Sequence, residues 1–301
     1  MTPGIHLSHK PIGPTSFSVV QQCIASAEAA RPAGSRARVR MCHGGVLDPF
    51  ASGLLLILVG GATRLFDYLH AVPKAYEATV RWGVETDNGD PGGKATFEGD
   101  ASILSVDRLD EALPTFVGWH DQVPPATSNK RVDGERAYLR AHRGEAVALP
   151  PTRVYLHEAS WLSHDLPHES RLRLVARGGY YVRALARDLG RQLGCGAHLS
   201  ALRRVAIGPW EDPGEGRVAT VSGRGLLPWA PSRELSDQEV GDLRHGKTIA
   251  PSAVTPGEWA LPPGFPDPVA PVRGFHRGRL AFLLSATGGA LKALTEFRGG
   301  L

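Results

Sequence analysis

The chain has 301 residues, a formal net charge of +4, 42% hydrophobic and 21% charged residues, and three widely spaced cysteines. This composition is typical of a globular protein with one large domain, or one large and one small, and it argues against a disulfide framework or a structural zinc site. The longest apolar run, at 54–59, is too short to span a bilayer, and residues 1–10 lack a signal-peptide core, so we expect a cytoplasmic protein without a membrane segment.

In the N-terminal part of the chain, hydrophobic periodicity and turn residues predict alternating strands, loops and one helix. Ser16 follows a turn rich in Gly and Pro and is positioned to cap that helix. The predicted elements are a strand at 5–10, the helix at 17–28, an exposed arginine-rich loop at 31–40, a loop at 43–49, and strands at 54–59 and 74–83.

Further along, alternation and helical spacing predict a pair of strands and two more helices before a change in composition. The stretch 211–234 is rich in Gly, Pro and Ser and is the candidate domain boundary. We therefore predict one domain at 1–230 and a small β-rich domain at 231–301. The predicted elements are a helix at 107–116, paired strands at 153–161 and 171–177, helices at 181–193 and 236–244, and strands at 271–275, 279–284 and 291–297.

Basic residues are concentrated in two segments. One is the arginine-rich loop at 31–40; the other holds Lys130, Arg131, Arg136, Arg140 and Arg143. Such clusters can follow a phosphate backbone, although a solvated arginine-rich surface would have the same composition. The sequence therefore indicates nucleic-acid binding without proving it.

Several common catalytic signatures are absent from the sequence. It has no P-loop, no Gly-x-Gly-x-x-Gly after a strand, no Gly-x-Ser-x-Gly elbow and no His/Cys cluster with metal-ligand spacing. This argues against nucleotide hydrolysis, nicotinamide chemistry, serine hydrolysis and zinc catalysis. Asp48 remains as a carboxylate in a glycine-rich loop between an arginine-rich segment and an apolar strand. Such a position suits a partly desolvated catalytic group, but Asp-Pro is also a common turn dipeptide.

The motifs around Asp48 carry a family resemblance. Residues 42–49 read Cys-His-Gly-Gly-Val-Leu-Asp-Pro, and Gly-Gly-Ala-Thr-Arg follows at 60–64. Together with blocks at 10–16, 74–90, 124–138 and 179–204, in matching order and spacing, they resemble the TruB family of pseudouridine synthases. The resemblance covers about residues 5–210, and from residue 235 the chain resembles the family's C-terminal PUA-type domain more weakly. The departures from the family pattern are Cys42, Gly44, Val46, Gly61 and Tyr180.

The resemblance implies a fold and a reaction. The fold is α+β, with a mixed, mainly antiparallel central sheet and flanking helices, plus a PUA-like RNA-binding domain. The reaction isomerises a uridine in the T-loop of tRNA, position 55 in tRNA numbering, to pseudouridine after the base is flipped out. No cofactor is implied, because the isomerisation is redox-neutral. The implied partner is the tRNA T-arm, with no guide RNA, and the family is usually monomeric.

Residue roles are also implied by the resemblance. Asp48 would be the catalytic residue, either attacking or abstracting a proton, and Arg183 would pair with it by a hydrogen bond. Tyr76 would stack on the extruded uracil. Tyr181 and Leu202 would line the same site.

Two residues would assist. His43 would fill the space left by the flipped base or contact the T-loop, and Lys10 would support the site from behind. Two alternatives stay open: an RNA-binding protein with a vestigial active site, and a guide-RNA-dependent synthase. The presence of Asp48, Tyr76 and Arg183 argues against the first, and the short N-terminus and lack of lysine runs argue against the second.

Overall fold

A computed structural model describes residues 1–31, 40–128, 130–132, 134–145 and 147–301. The chain forms two compact units. The first comprises Met1–Pro49, Gly53–Val72 and Ile207–Leu301, and the second comprises Phe50–Ser52 and Pro73–Ala206. Most of the arginine-rich loop predicted at 31–40 lies outside the described residues. Strands are labelled β1–β18 and helices α1–α5 in chain order.

In the first unit, the predicted N-terminal strand lies at the middle of an antiparallel sheet. It pairs over its whole length with the apolar strand, from Gly4 opposite Val59 to Lys10 opposite Gly53. The apolar strand is buried on both faces, which explains its continuous hydrophobic run. The strands of this sheet are β1 (Gly4–Lys10), β2 (Met41–His43), β3 (Ser52–Val59) and β14 (Val218–Val221); the short strand β13 is Trp210–Glu211.

Helix α1 spans Ser16–Ala29, so the predicted helix is confirmed, but the predicted cap is wrong. Thr15 is the N-cap, and its hydroxyl accepts a hydrogen bond from the Ser18 amide at 3.0 Å. Ser16 is buried in the first turn and its hydroxyl bonds the backbone of Leu47 instead. Two adjacent hydroxyl residues made the cap ambiguous in the sequence, because Ser and Thr are both favoured there.

In the second unit, five strands form a sheet in the order β12-β4-β11-β10-β7. The predicted pair of strands, β10 and β11, is confirmed as an antiparallel pair. The strands are β4 (Lys74–Trp82), β7 (Gly118–Gln122), β10 (Thr152–Asp165), β11 (Glu169–Ala176) and β12 (Ala197–Ile207), with small hairpins β5 (Val84–Thr86) with β6 (Ala95–Glu98), and β8 (Arg131–Val132) with β9 (Glu135–Arg136).

Helix α4 spans Val182–Leu193 and packs against β4. It ends where predicted, because Gly194 adopts the left-handed conformation (φ +83°) that closes a helix without steric cost. The helix predicted at 107–116 is instead α2 (Val106–Ala112) followed by a 3₁₀ turn at Leu113–Phe116, where Pro114 removes a backbone donor. The remaining helix of this unit is α3 (Ala137–His142).

The C-terminal stretch contains the predicted helix and strands. Helix α5 (Asp237–Arg244) begins with a complete capping box between Ser236 and Glu239. Strand β15 (Ser232–Glu234) pairs in parallel with β16 (Val272–His276), and β17 (Arg279–Thr287) and β18 (Ala290–Glu296) continue the sheet antiparallel. The predicted α+β class with mainly antiparallel pairing is therefore confirmed.

Two apolar clusters underlie this C-terminal sheet. One belongs to the stretch itself and includes Val240, Phe282 and Leu291. The other joins Phe275 and Leu283 to apolar residues of the N-terminal strands. The second cluster makes the C-terminal sheet part of the first unit's core. The division predicted between residues 230 and 231, and the PUA-like assignment of 231–301, stay predictions.

Arg273 is the main buried cation of this unit's C-terminal sheet, with no exposed surface. Its guanidinium donates to three backbone carbonyls, Ala230 at 3.0 Å, Arg224 at 2.8 Å and Leu226 at 3.1 Å, and pairs with Glu258. The planar fork of donors suits several acceptors at once. It thereby fixes the loop between β14 and β15 to strand β16.

We expect Arg273→Met to lower the free energy of unfolding by about 3 kcal/mol, because it leaves these carbonyls and Glu258 without a buried donor. Urea unfolding measures the effect. Arg298→Met is the matched control, since Arg298 is 92% exposed and its loss should cost less than about 0.5 kcal/mol. Equal midpoints for the two variants would contradict the role given to Arg273.

Candidate active site

Asp48 lies in the loop between β2 and β3, half-buried between the buried Leu47 and the exposed Pro49. The buried Leu47 side chain fixes one flank of the loop in the core. The loop is short, and both strands that it joins belong to the same sheet. The ends of the loop are therefore fixed, and its hydrogen bonds decide the backbone conformation between them.

Those hydrogen bonds come from the segment that joins β1 to α1. The Ser16 hydroxyl donates to the Leu47 carbonyl at 3.0 Å and accepts from the Leu47 amide at 2.8 Å. The Gly13 amide donates to the Pro49 carbonyl at 2.8 Å. Asp48 is thus held between two anchored residues.

Lys10 contacts the same loop from below. It is completely buried, and its ammonium donates to the carbonyls of Pro11 at 2.8 Å, Pro14 at 2.9 Å and Pro49 at 3.4 Å. One ammonium therefore ties the turn after β1 to the residue that follows Asp48. This contact is a physical basis for the supporting role predicted for Lys10.

His43 and Gly44 lead into the loop. His43 ends β2 opposite Ile57 and is half-buried. The Gly44 amide donates to the Leu56 carbonyl at 2.7 Å, and a Cβ at position 44 would lie 2.9 Å from the Leu56 Cβ. Gly44 departs from the TruB motif, and in this chain the departure allows the loop to approach β3 closely.

Tyr76 and Leu202 lie on neighbouring strands of the second unit, β4 and β12, and both are buried. Alternation along each strand puts Tyr76 on the same face as Lys74, and Leu202 on the same face as Arg204. The positive charge of Arg204 acts on the Lys74 ammonium. The structure therefore places Tyr76 and Leu202 as buried residues of adjacent strands.

The Lys74 ammonium is an unusual group on this face. Burial, followed by the nearby positive charges of Arg204 and Arg177, lowers the pKa of Lys74 to about 7. The side chain therefore carries only part of its charge at neutral pH. Nothing in the sequence pattern predicted this, because the three residues are far apart along the chain.

Tyr181 and Arg183 stand at the start of α4. The Tyr181 backbone exchanges two hydrogen bonds with the buried Gln122 side chain, at 2.9 and 3.1 Å. The Arg183 guanidinium is buried and donates to the Asn88 carbonyl and the Thr127 hydroxyl, both at 2.7 Å. Sequence analysis missed these three partners, since no motif spacing links them to α4.

The departure Tyr180, next to Tyr181, is buried. Its ring packs edge-on against His120 with centroids 5.6 Å apart. Burial, and then the negative charge of Asp188, raise the pKa of its phenol. The large ring at this position is therefore a packing residue and stays neutral.

The second basic segment is partly neutralised. Arg143 donates to both Glu135 and Glu145, and Arg140 pairs with Glu145 at 2.9 Å. These carboxylates hold the pKa of Arg143 above its ordinary value. Arg131 donates to the Gly134 carbonyl instead. The charge predicted for this segment came from its cations alone, without Glu135 among them and Glu145 just after them.

The predicted site residues therefore fall into two sets. Asp48, His43 and Lys10 belong to the first unit, and the set in the second unit is Tyr76, Tyr181, Arg183 and Leu202. The hydrogen bond between Asp48 and Arg183 stays a prediction. Among the described residues, no group of three or more His, Cys, Asp or Glu side chains could hold a metal ion. In the same residues, no helix is both long and apolar enough to cross a bilayer.

Two family models match the chain. Residues 34–182 match the N-terminal domain of the TruB family pseudouridylate synthases, and residues 183–221 match the tRNA pseudouridylate synthase B C-terminal domain. The chain belongs to the TruB family. The resemblance found in the sequence motifs is confirmed, and so is the predicted enzyme class, an isomerase that makes pseudouridine.

Curated relatives extend the TruB match over most of the chain. The tRNA pseudouridine synthase B of Leifsonia xyli is 34% identical over 310 residues, covering 98% of this chain and 93% of the relative. That of Thermobifida fusca is 37% identical over 267 residues, covering 84% and 88%. The similarity therefore includes the C-terminal stretch beyond the two family models.

Solved structures with the same fold include the protein of a Cbf5-Nop10-Gar1 complex. It superposes with a TM-score of 0.66 at 21% identity, covering 97% of this chain and 84% of that one. An H/ACA RNP bound to a substrate RNA containing 2′-deoxyuridine gives 0.65 at 19% identity, covering 98% of this chain and 84% of that one. At these identities the likeness shows the fold alone, and it confirms the predicted pseudouridine synthase fold.

We expect Gly44→Ala to lower the free energy of unfolding by about 1–3 kcal/mol, because its Cβ would overlap the Leu56 Cβ, which cannot move without the strand. Gly241→Ala in α5 is the control. A Cβ there meets nothing within 4 Å, and replacing a helical glycine should stabilise by about 0.5–1 kcal/mol. Urea unfolding measures the free energy of unfolding of both variants. A stabilising Gly44→Ala would contradict the prediction, because it would show that strand β3 shifts to make room for the Cβ.

A second prediction concerns pH. Unfolded Lys74 binds its proton up to about pH 10, whereas the folded pKa is about 7, so the unfolded state binds more protons between these values and stability rises with pH. From pH 7 to pH 9 this contributes on the order of 2 kcal/mol. Lys74→Met should lose that increment. Unfolding curves at both pH values test this, and an unchanged increment in the variant would contradict the assignment to Lys74.

Proposed function

We propose that this TruB-family enzyme isomerises a uridine in the T-loop of tRNA, position 55 in tRNA numbering, to pseudouridine. The tRNA substrate is supported by the relatives, which are named tRNA pseudouridine synthase B. The match covers most of the length of each relative. The observation that carries the proposal is the Asp48 loop, anchored through Ser16, Gly13 and Lys10 in a chain of this family. A carboxylate held in this way is preorganised for chemistry.

The proposed reaction breaks the N1–C1′ bond of the uridine, turns the base and joins C5 to C1′. The proton on C5 is lost and N1 gains one, so the atoms balance and no cofactor takes part. The uridine must leave its stack for these atoms to be reached. Asp48 acts as a nucleophile that attacks the ribose or the uracil, or as a general base that abstracts a proton to open a glycal route. In every route the carboxylate must be ionised.

The second set of residues would hold the flipped nucleoside. Tyr76 would stack on the uracil, and Leu202, on the neighbouring strand, would bound the site. Tyr181 would line it from the start of α4, where Gln122 fixes its backbone. Arg183 would keep Asp48 ionised and aimed. His43 would occupy the gap in the T-loop or contact its backbone.

We also propose that the chain works alone, as a monomer without a guide RNA, and that 231–301 acts as a PUA-like RNA-binding domain. The support is the relatives, which are named as tRNA enzymes. Incubation of the purified chain with a bare T-arm hairpin tests this directly. Turnover that required an added guide RNA would contradict it.

For Asp48 we expect Asp48→Asn to abolish turnover and leave the Kd for tRNA within a few fold, because the amide is nearly isosteric but cannot ionise. Tritium release from tRNA carrying 5-tritiated uridine measures turnover, and filter binding measures the Kd. Asp110→Asn, an exposed position on α2, is the matched control and should retain full activity. A wild-type chain that binds tRNA but releases no tritium would overturn the proposed enzyme, and an active Asp48→Asn would overturn the role of Asp48.

A further inference from the structure

Three large apolar side chains are exposed beside the Asp48 loop, and we call them the apolar rim. They are Ile12, 68% exposed, Phe17, 64% exposed, and Val46, 46% exposed. All three belong to the first unit. A folded chain gains about 1.5–3 kcal/mol by fully burying such a side chain, so large exposed apolar side chains near a candidate site can mark a binding surface.

The rim is fixed to the loop by the hydrogen bonds already described. Ile12 precedes Gly13, whose amide donates to the Pro49 carbonyl. Phe17 follows Ser16, and Val46 precedes Leu47. The Ser16 hydroxyl and the Leu47 backbone are hydrogen-bonded to one another. Because the first of these hydrogen bonds joins Gly13 to Pro49, backbone dimensions place the Ile12 Cα within about 10 Å of the Asp48 Cα. The rim therefore flanks the proposed catalytic carboxylate on a backbone that does not need to be ordered on binding.

The backbone around the rim is also rigid. Phe17 stands in the first turn of α1, directly after the Thr15 cap. Ile12 is in the turn whose carbonyls Lys10 binds on either side, at Pro11 and Pro14. Little conformational entropy is lost when such side chains meet a ligand, which favours contact with large flat groups.

We infer that the apolar rim binds unstacked nucleobases of the substrate RNA next to the uridine that reacts. The inference rests on the proposed function, in which that uridine must reach Asp48 while it is joined to its neighbours. RNA loops are recognised through splayed bases that stack on aromatic side chains and lie against apolar ones. Phe17 offers a π-face, Ile12 and Val46 offer apolar walls, and none of the three can bind a phosphate.

The test measures binding of a fluorescent T-arm hairpin in the Asp48→Asn background, so that turnover does not interfere. Phe17→Ala should raise the Kd about tenfold and Ile12→Ala several-fold, as expected for the loss of one stacked or packed base. Phe17→Trp should restore binding, because the stacking face returns. Phe97→Ala and Ile103→Ala are matched controls at exposed positions, 49% and 44%, and should bind like the parent.

Salt dependence separates base contacts from phosphate contacts. A lost apolar contact shifts the Kd equally at every KCl concentration, so the slope of log Kd against log [KCl] should stay the same. A slope reduced by about one in Phe17→Ala would indicate a phosphate contact and would overturn the inference. An unchanged Kd for the hairpin in the rim variants would also overturn the inference. So would rim variants that lose self-association of the chain but keep RNA binding, because the rim would then serve only dimer formation.

The outcome is separable from that of the proposed function. If the wild-type chain releases no tritium but Phe17→Ala and Ile12→Ala weaken hairpin binding, the enzyme proposal fails and the rim stands as an RNA surface. If the wild-type chain is active and both rim variants bind normally, the rim inference alone fails. Because the two positions are exposed and lie on different elements, misfolding of one variant leaves the other as a test.

Discussion

The hydrogen bonds from the segment between β1 and α1 to the Asp48 loop are the constraint on which the first unit's part of the site depends. Lys10 is buried without exposed surface, and its ammonium binds carbonyls on both sides of the Gly-Pro turn and after Asp48. A buried ammonium is costly unless it is well bonded. The cost of burying Lys10 is offset by its hydrogen bonds to these carbonyls, so the cation and the turn stabilise one another.

This dependence explains why the N-terminal motif and the Asp48 motif resemble the TruB family together. A change at Ser16 would remove both of its hydrogen bonds to the Leu47 backbone, and a change at Lys10 would remove one of the two donors to the Pro49 carbonyl. Lys10, Gly13 and Ser16 of this motif bond backbone atoms of the Asp48 loop and thereby hold the loop in place.

The main elements could be predicted from the sequence because each has a local signal. The apolar run at 54–59 is a fully buried strand, the apolar spacing before Gly194 is a helix, and Ser236 with Glu239 forms a capping box. The Ser16 cap was wrong because a local signal cannot distinguish a hydroxyl that bonds its own helix from one that bonds a distant loop. In this chain, the distant loop at Leu47 was the partner of Ser16.

The parts of the site that the sequence could not predict depend on contacts between distant positions. Gln122 fixes the Tyr181 backbone, and Thr127 accepts from Arg183, but neither has a spacing that links it to α4. Glu135 and Glu145 reduce the positive charge predicted for the segment at 130–143. In each case a residue with an ordinary structural role sets the position or charge of a predicted site residue or segment.

The two sets of candidate site residues have different electrostatic surroundings. The Asp48 loop is held by neutral backbone acceptors around one cation, whereas Tyr76 shares its strand with Lys74, whose pKa is lowered by burial and then by the positive charges of Arg204 and Arg177. RNA supplies both a negative backbone and flat apolar bases. The apolar rim of the first unit is complementary to the flat bases, and the cations near Tyr76 in the second unit are complementary to the negative backbone.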